Sequence, residues 1–171
     1  MDGSDVEKGG VGDILMDRDF STNTRKIYTY FGSNANLTHS SNAFALSNAS
    51  ITPTILGLLA GDTTGKENLI KFVQGYDAYD DNGNSIVDEK REWILGAFLH
   101  SRPSVIHYDS RSVIFAGGND GMFHAFDDET GEELWAFIPP DLLNKLQALH
   151  QDVLESFVDG SPRAYDSRNT D

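Results

Sequence analysis

The stretch from Phe115 to Trp135 constrains the fold most, because it reads as strand, turn, strand, turn, strand. Val113 and Phe115, and then Met122, His124 and Phe126, are spaced by even numbers, the period of a strand with one buried face. Asn119-Asp120-Gly121 interrupts the run where a tight turn needs a positive φ. Glu129-Thr130-Gly131 interrupts it again before Leu134-Trp135-Ala136-Phe137.

A fold that repeats such meanders radially is the β-propeller, whose repeats run about 40 to 50 residues. A chain of 171 residues with one clear copy of the signature has room for two or three blades. The expected fold is mainly β, a partial β-propeller of two or three antiparallel meanders with one or two inserted short helices. An open arc leaves sheet edges and apolar faces bare, so the remaining blades are expected from the same longer chain or from another chain.

Charge narrows the partners. The net charge of −14, with 27 acidic against 13 scattered basic residues, argues against nucleic acid and against an anionic membrane surface, both of which need a basic patch. It suits a cation. No run approaches the roughly 18 apolar residues of a membrane span. With no cysteine there are neither disulfides nor cysteine-zinc sites, which leaves a bound ion as one of the few available staples.

Residues 1–24 are rich in Gly, Asp and Ser and read as a flexible tail or linker; the propeller domain is expected over 25–171. Arg25 to Phe31 alternates β-branched and aromatic residues up to Gly32 and predicts a strand. Thr64-Gly65-Lys66-Glu67 fits a capping box for a short helix carrying Leu69, Ile70, Phe72 and Val73 and stopping at Gly75. After Pro139-Pro140-Asp141, Leu142, Leu146, Leu149 and Val153 trace one apolar helical stripe, expected to pack against the sheet. Phe157 to Arg163 then reads as a strand entering the next blade.

The ion chemistry lies in Asp80-Asp81-Asn82-Gly83-Asn84-Ser85-Ile86-Val87-Asp88. Asp80, Asn82, Asn84 and Asp88 fall at its first, third, fifth and ninth positions, and the carbonyl of Ile86 falls at the seventh. Calcium takes six to eight hard oxygens, and an alternating loop turns its odd positions inward. The pattern follows the first nine positions of an EF-hand loop, with Ser85 where that loop has Gly and Arg91 where it has a bidentate Glu. Asp88 then closes the site, completed by water or by Asp77, Asp81, Glu89 or Glu92. The same residues also suit a plain hairpin turn at Asn82-Gly83. With only two charged ligands, the expected dissociation constant is about 10⁻⁴ to 10⁻³ M.

Several motifs in order resemble the C-terminal β-propeller region of the PilY/PilC family of type IV pilus biogenesis and tip-associated proteins. They are Arg25-Lys26-Ile27-Tyr28-Thr29-Tyr30, Trp93-Ile94-Leu95-Gly96 followed by His100-Ser101-Arg102-Pro103, Gly118 to Asp127, Glu133 to Pro140, and Val158 to Pro162. Ala97 and Arg102 stand where the family pattern has Asp and Ser. The resemblance implies an exported protein of the pilus tip, outer membrane or cell surface that acts in pilus assembly and adhesion. Its implied partners are pilus subunits, other assembly proteins, and a host or abiotic surface. Some members bind calcium in a nine-position loop of the kind seen at Asp80 to Asp88.

Two other readings use the same residues. The Gly118 to Trp135 stretch also resembles one repeat of the pyrroloquinoline-quinone dehydrogenases, and the whole pattern also suits a generic calcium-stapled scaffold that holds other proteins. No nucleophile motif, phosphate loop or histidine pair at metal spacing accompanies His39, His100, His107, His124 and His150. His124, inside a strand with no partner visible in the sequence, reads as a core histidine, and Asp120 and Asp127 as binders of turn backbone. The expectation is a non-catalytic, calcium-binding component of the pilus machinery.

Overall fold

The computed structural model describes residues 9–32, 34–151 and 157–164. Among the described residues there are five strands: β1 (Ile27–Tyr28), β2 (Ser104–His107), β3 (Ser112–Gly117), β4 (Phe123–Asp127) and β5 (Glu133–Phe137). They form one sheet in the spatial order β1-β5-β4-β3-β2. From β2 to β5 the sheet is an antiparallel meander of the size of one propeller blade, while β1 pairs parallel to β5 through Ile27↔Ala136 and Tyr28↔Phe137. The mainly β expectation holds.

Both predicted turns form for the expected reasons. Gly121 and Gly131 have φ of 83° and 72°, values that suit glycine. Asp127 Oδ1 accepts the backbone N–H groups of Glu129 (3.0 Å) and Thr130 (3.1 Å), which ties the second turn to the end of β4. The facing of the side chains differs from the expectation of one buried face. Phe115 lies opposite Ala125, whereas His124 lies opposite Ala116 and Phe126 opposite Ile114. Val113 and Phe115 therefore point to one side and His124 and Phe126 to the other, so the sheet is apolar on both faces.

The face bearing Ile27, Ala136, His124 and Phe126 is covered by two apolar clusters. One joins Ile27 and Ala136 to Phe44, Ile51, Leu69, Ile70 and Leu146; the other joins Phe126 to Leu15, Phe20, Ile94 and Leu95. Fully burying a side chain such as Leu146 contributes about 1.5–3 kcal/mol, and it is 0% exposed.

Among the described residues two α-helices contribute to these clusters, one through Leu15 and the other through Leu69 and Ile70. Helix α2 (Thr63–Gln74) follows the predicted face and stops at Gly75, which adopts φ of 108° as a left-handed cap. Its N-cap is Asp62, whose side chain accepts the Gly65 N–H at 2.8 Å, rather than the predicted Thr64 box. Helix α1 (Gly10–Asp17) lies inside the segment predicted to be a tail. It lacks a side-chain cap, and burial of Leu15, 1% exposed, is what holds it in place.

Three further expectations are corrected. The strand predicted over Arg25 to Phe31 shortens to β1, which pairs with β5 on one edge while, on the other, Thr29 N–H donates to Asn42 C=O and Ile27 C=O accepts the Phe44 N–H. The predicted α-helix after Pro139 is a 3-10 helix over Pro140–Leu149 with Leu143 and Leu146 at its buried centre and Leu142 and Leu149 at the margin. A three-residue period replaces the four-three spacing read from sequence; Val153 lies outside the described residues. Residues 157–164 form no strand. Instead Asp159 Oδ1 accepts the His100 N–H at 3.1 Å and Ser161 Oγ accepts the Arg102 N–H at 3.0 Å. Among the described residues no helix is long and apolar enough to cross a membrane.

Candidate functional site

The loop after α2 is built from its neck. Tyr76 bridges to Lys90, and Asp77 N–H donates to Glu89 C=O at 2.8 Å, so residues 77–89 form a closed excursion beside the helix end. The buried Asp77 carboxylate, 2% exposed, accepts the Asp81 N–H at 2.9 Å and the Asn82 N–H at 3.4 Å, fixing the first turn. Asp80 and Ser85 then adopt φ of 57° and 66° on either side of Gly83, a left-handed conformation that Asp tolerates and Ser rarely takes.

Along this path three of the five predicted ligands turn their side-chain oxygens onto backbone N–H groups of the loop itself. Asp80 Oδ1 accepts the Ser85 N–H at 2.8 Å, Asn82 Oδ1 accepts the Asn84 N–H at 3.0 Å, and Asn84 Oδ1 accepts the Ile86 N–H at 2.7 Å. The amide groups of Asn82 and Asn84 both donate to Glu89 Oε1, at 2.7 and 2.5 Å, which picks Glu89 out of the four completing residues considered from sequence. Asp88 is held from outside the loop. Its Oδ1 accepts from Lys71 Nζ of α2 at 2.8 Å, and the same ammonium lies 3.0 Å from Glu67 Oε1. Ile86, whose carbonyl was the seventh-position candidate, is 53% exposed.

The donor set fits a hard cation: carboxylates at Asp80, Asp88 and Glu89, amide oxygens at Asn82 and Asn84, and the Ile86 carbonyl match calcium's preference for six to eight oxygens. Among the described residues no group of three or more His, Asp or Glu side chains is gathered at metal spacing, because two of the donors are amides and Asp88 leans to Lys71.

A second polar cluster is buried under the sheet and was only partly legible. Arg25, just before β1, meets Glu133 of β5 with a fork: Nε to Oε2 at 2.8 Å and Nη2 to Oε1 at 2.6 Å, both side chains fully buried. His124 of β4 lies between carboxylates, with Nδ1 2.9 Å from Glu133 Oε1 and Nε2 3.0 Å from Asp120 Oδ1. Asp120 Oδ2 accepts the Gly96 N–H at 2.9 Å, and a Cβ at position 96 would collide with the Asp120 backbone, which explains the glycine in Trp93-Ile94-Leu95-Gly96. Asp120 Oδ1 also accepts the Met122 N–H at 3.3 Å, so it binds turn backbone as expected, and the partner that the sequence did not reveal for His124 is this pair of acids. Its signal was the four-residue spacing of Asp120 and His124 across a tight turn.

Electrostatics in the cluster follow from pairing. Burial pulls the His124 pKa down, but the carboxylates of Asp120 and Glu133 outweigh it and push it up to about 9 from 6.5. Burial raises Glu133, yet the Arg25 guanidinium and the imidazolium hold it far below the usual carboxylate range. Nearby, burial lowers Arg91 to about 10, where its guanidinium stacks 3.9 Å from the Phe72 ring. Arg18 joins the cluster from α1's end, its Nη1 3.9 Å from Glu133 Oε2, so three cations meet two carboxylates. With both ring nitrogens committed, His124 has no free lone pair to act as a base.

No family profile and no solved structure match the chain. Two curated proteins do. The type IV pilus biogenesis factor PilY1 of Pseudomonas aeruginosa is 28% identical over 136 residues, covering 62% of this chain and 11% of that protein. The type IV pilus biogenesis factor PilY1 homolog of Xylella fastidiosa is 40% identical over 60 residues, covering 34% of this chain and 5% of that protein. The chain spans about a tenth or less of the length of these relatives. The PilY/PilC resemblance carried by the sequence motifs is supported by these two matches, and the chain is similar to a short portion of PilY1-type pilus biogenesis factors.

Proposed function

We propose that this chain is a non-catalytic part of a type IV pilus biogenesis factor, one blade region of a propeller displayed at the cell surface, with a calcium-responsive loop at Asp80 to Asp88. The observation that carries the pilus reading is the similarity to two proteins named as pilus biogenesis factors. The meander from β2 to β5, apolar on both faces, supports the propeller reading, since a sheet of that kind is made to be covered twice. Satisfaction of His124 by two buried acids supports the non-catalytic reading.

For the loop, the support is the oxygen donor set and the bonds by which Asp80, Asn82 and Asn84 already fold the loop on itself. The residues that would hold calcium are Asp80, Asn82, Asn84, Asp88 and the Ile86 carbonyl, with Glu89 beside them. Bound calcium would supply a fixed double positive charge that orders the loop. The chain's own part is to present the oxygens and to release Asp88 from Lys71. Ordering of this rim is the proposed route by which the ion changes affinity for pilus subunits, other assembly proteins or an attachment surface.

The test is a bacterium whose full-length protein carries Asp80→Ala with Asp88→Ala, scored for surface pili and for motility with and without calcium. Loss of the calcium dependence at unchanged protein level is expected. Unchanged calcium-dependent piliation would remove the calcium part, and a deletion of the whole 25–164 region that leaves piliation intact would remove the pilus part.

A further inference from the structure

Among the described residues, Arg91 is half-buried against α2 without an acidic partner in ion-pair contact. Its Nη2 donates to Phe72 C=O at 3.0 Å and its guanidinium lies 3.9 Å from the Phe72 ring, but its buried Nε has no hydrogen-bond partner. The surroundings do not supply the missing charge. Arg18, Arg25 and His124 already outnumber Glu133 and Asp120. Burial, and after it the Arg25 charge, lowers the Arg91 pKa to about 10, and Asp120, Asp81 and Asp77 offset only part of this from a distance. A buried N–H left without an acceptor costs stability, so it calls for an explanation.

Arg91 lines a cavity of about 270 Å³, enclosed by α2 at Val73, the segment 93–97, the β3–β4 turn at Met122, and Leu149 at the end of the 3-10 helix. The cavity lies on the side of the sheet that this chain covers with its own clusters, away from Phe115 and Trp135. Val73, Leu95, Met122 and Leu149 make its body apolar. Among the described residues the one carboxylate in its walls is Asp120, and both of its oxygens are taken: Oδ1 by the Met122 N–H and His124, Oδ2 by the Gly96 N–H. A cation entering here meets the Arg91 charge, whereas an anion meets a guanidinium with donors to spare. An apolar cavity of about 150 Å³ takes one benzene, so this one has room for a ring with a short acid chain.

We propose that the cavity between α2 and the β3–β4 turn binds a small free carboxylate with an apolar body, an arylalkanoate in chemical class, whose carboxylate pairs with Arg91 and whose ring lies among Val73, Leu95, Met122 and Leu149. The ligand supplies the acceptor and the negative charge that the chain leaves out, and the apolar walls hold its body. The site requires neither calcium in the 80–88 loop nor the pilus reading.

The probes are 3-phenylpropionate and its neutral amide, titrated into the full chain and followed by the indole N–H signals of its two tryptophans in nuclear magnetic resonance. Trp93 lines the cavity, with its Nε1 donating to Leu95 C=O at 2.7 Å, and Trp135 lies on the other side of the sheet; Trp135→Phe assigns the two signals. The acid should shift the Trp93 signal, leave that of Trp135 in place, and bind at least about ten-fold more tightly than the amide, the margin of one charge-assisted hydrogen bond. Arg91→Gln should bring acid and amide to the same affinity, with circular dichroism checking that the variant is folded; if it does not fold, the comparison in the unaltered chain decides alone. The proposal is overturned by a Trp93 signal that neither compound moves, by equal binding of acid and amide to the unaltered chain, by an acid that shifts Trp135 as much as Trp93, or by a preference for the acid that survives in folded Arg91→Gln.

Discussion

The buried cluster around His124 and the exposed loop at 80–88 use nearly the same chemistry, carboxylates met by nitrogen donors, with opposite consequences. Under the sheet, Glu133 and Asp120 are met by the fixed cations Arg25 and His124 in an environment closed to water. In the loop, Asp80 is met by a neutral backbone N–H and Asp88 by a lysine that is itself one-quarter exposed. The first set has its counter-charge built in. The second has oxygens whose partners are neutral or solvent-exposed, which is the ground for proposing an exchangeable ion there. Burial, more than residue type, separates a structural staple from an exchangeable site.

The largest test of that contrast is Glu133→Ala. Removing it leaves the Arg25 guanidinium and the His124 imidazolium buried with half their partners gone, which should cost about 3–5 kcal/mol in chemical unfolding. A cost within the about 0.5 kcal/mol of an ordinary surface change would show that the cluster is not a staple.

Next comes pH. The His124 pKa is raised from 6.5 in the unfolded chain to about 9 in the fold, so its contribution is fully present below about pH 6.5 and is lost as pH rises through about 9. The size is on the order of 3 kcal/mol, at 1.36 kcal/mol per pH unit. Glu133, depressed in the fold, acts in the other direction: its stabilisation is present above its ordinary range and is lost on acidification. Unfolding curves across pH should therefore show an alkaline limb that His124→Gln flattens. An alkaline limb unchanged in that variant would place its origin elsewhere.

A smaller effect is expected at Lys71→Ala. Without calcium it should cost under about 1 kcal/mol, as for exposed ion pairs. With calcium it should tighten binding, since Asp88 no longer has to leave the ammonium at 2.8 Å. Weaker calcium binding in the variant would mean that Lys71 positions Asp88 for the ion instead of competing with it.

The meander was legible because its turns are marked by Asn119-Asp120-Gly121 and Thr130-Gly131 and its strands by β-branched and aromatic residues. Which side each residue faces was not legible, since that follows from the register of Phe115 against Ala125. Helix α1 escaped notice because its Gly9-Gly10 start offers no cap and tertiary burial of Leu15 decides it. The oxygen-bearing side chains at odd positions of 80–88 were readable from spacing alone. The Lys71–Asp88 pair is seventeen residues apart and needed the fold, as did the meeting of Arg25 with Glu133 across β1 and β5.

The central claim, that the exposed loop takes an exchangeable cation while the buried cluster does not, is tested most directly by calorimetric titration of the folded chain with calcium and with magnesium, alongside Asp80→Ala and His124→Gln. The prediction is about one calcium per chain at a dissociation constant of about 10⁻⁴ to 10⁻³ M, lost in Asp80→Ala and retained in His124→Gln. No calcium heat from the folded wild-type chain, or calcium binding that survives Asp80→Ala, would contradict it.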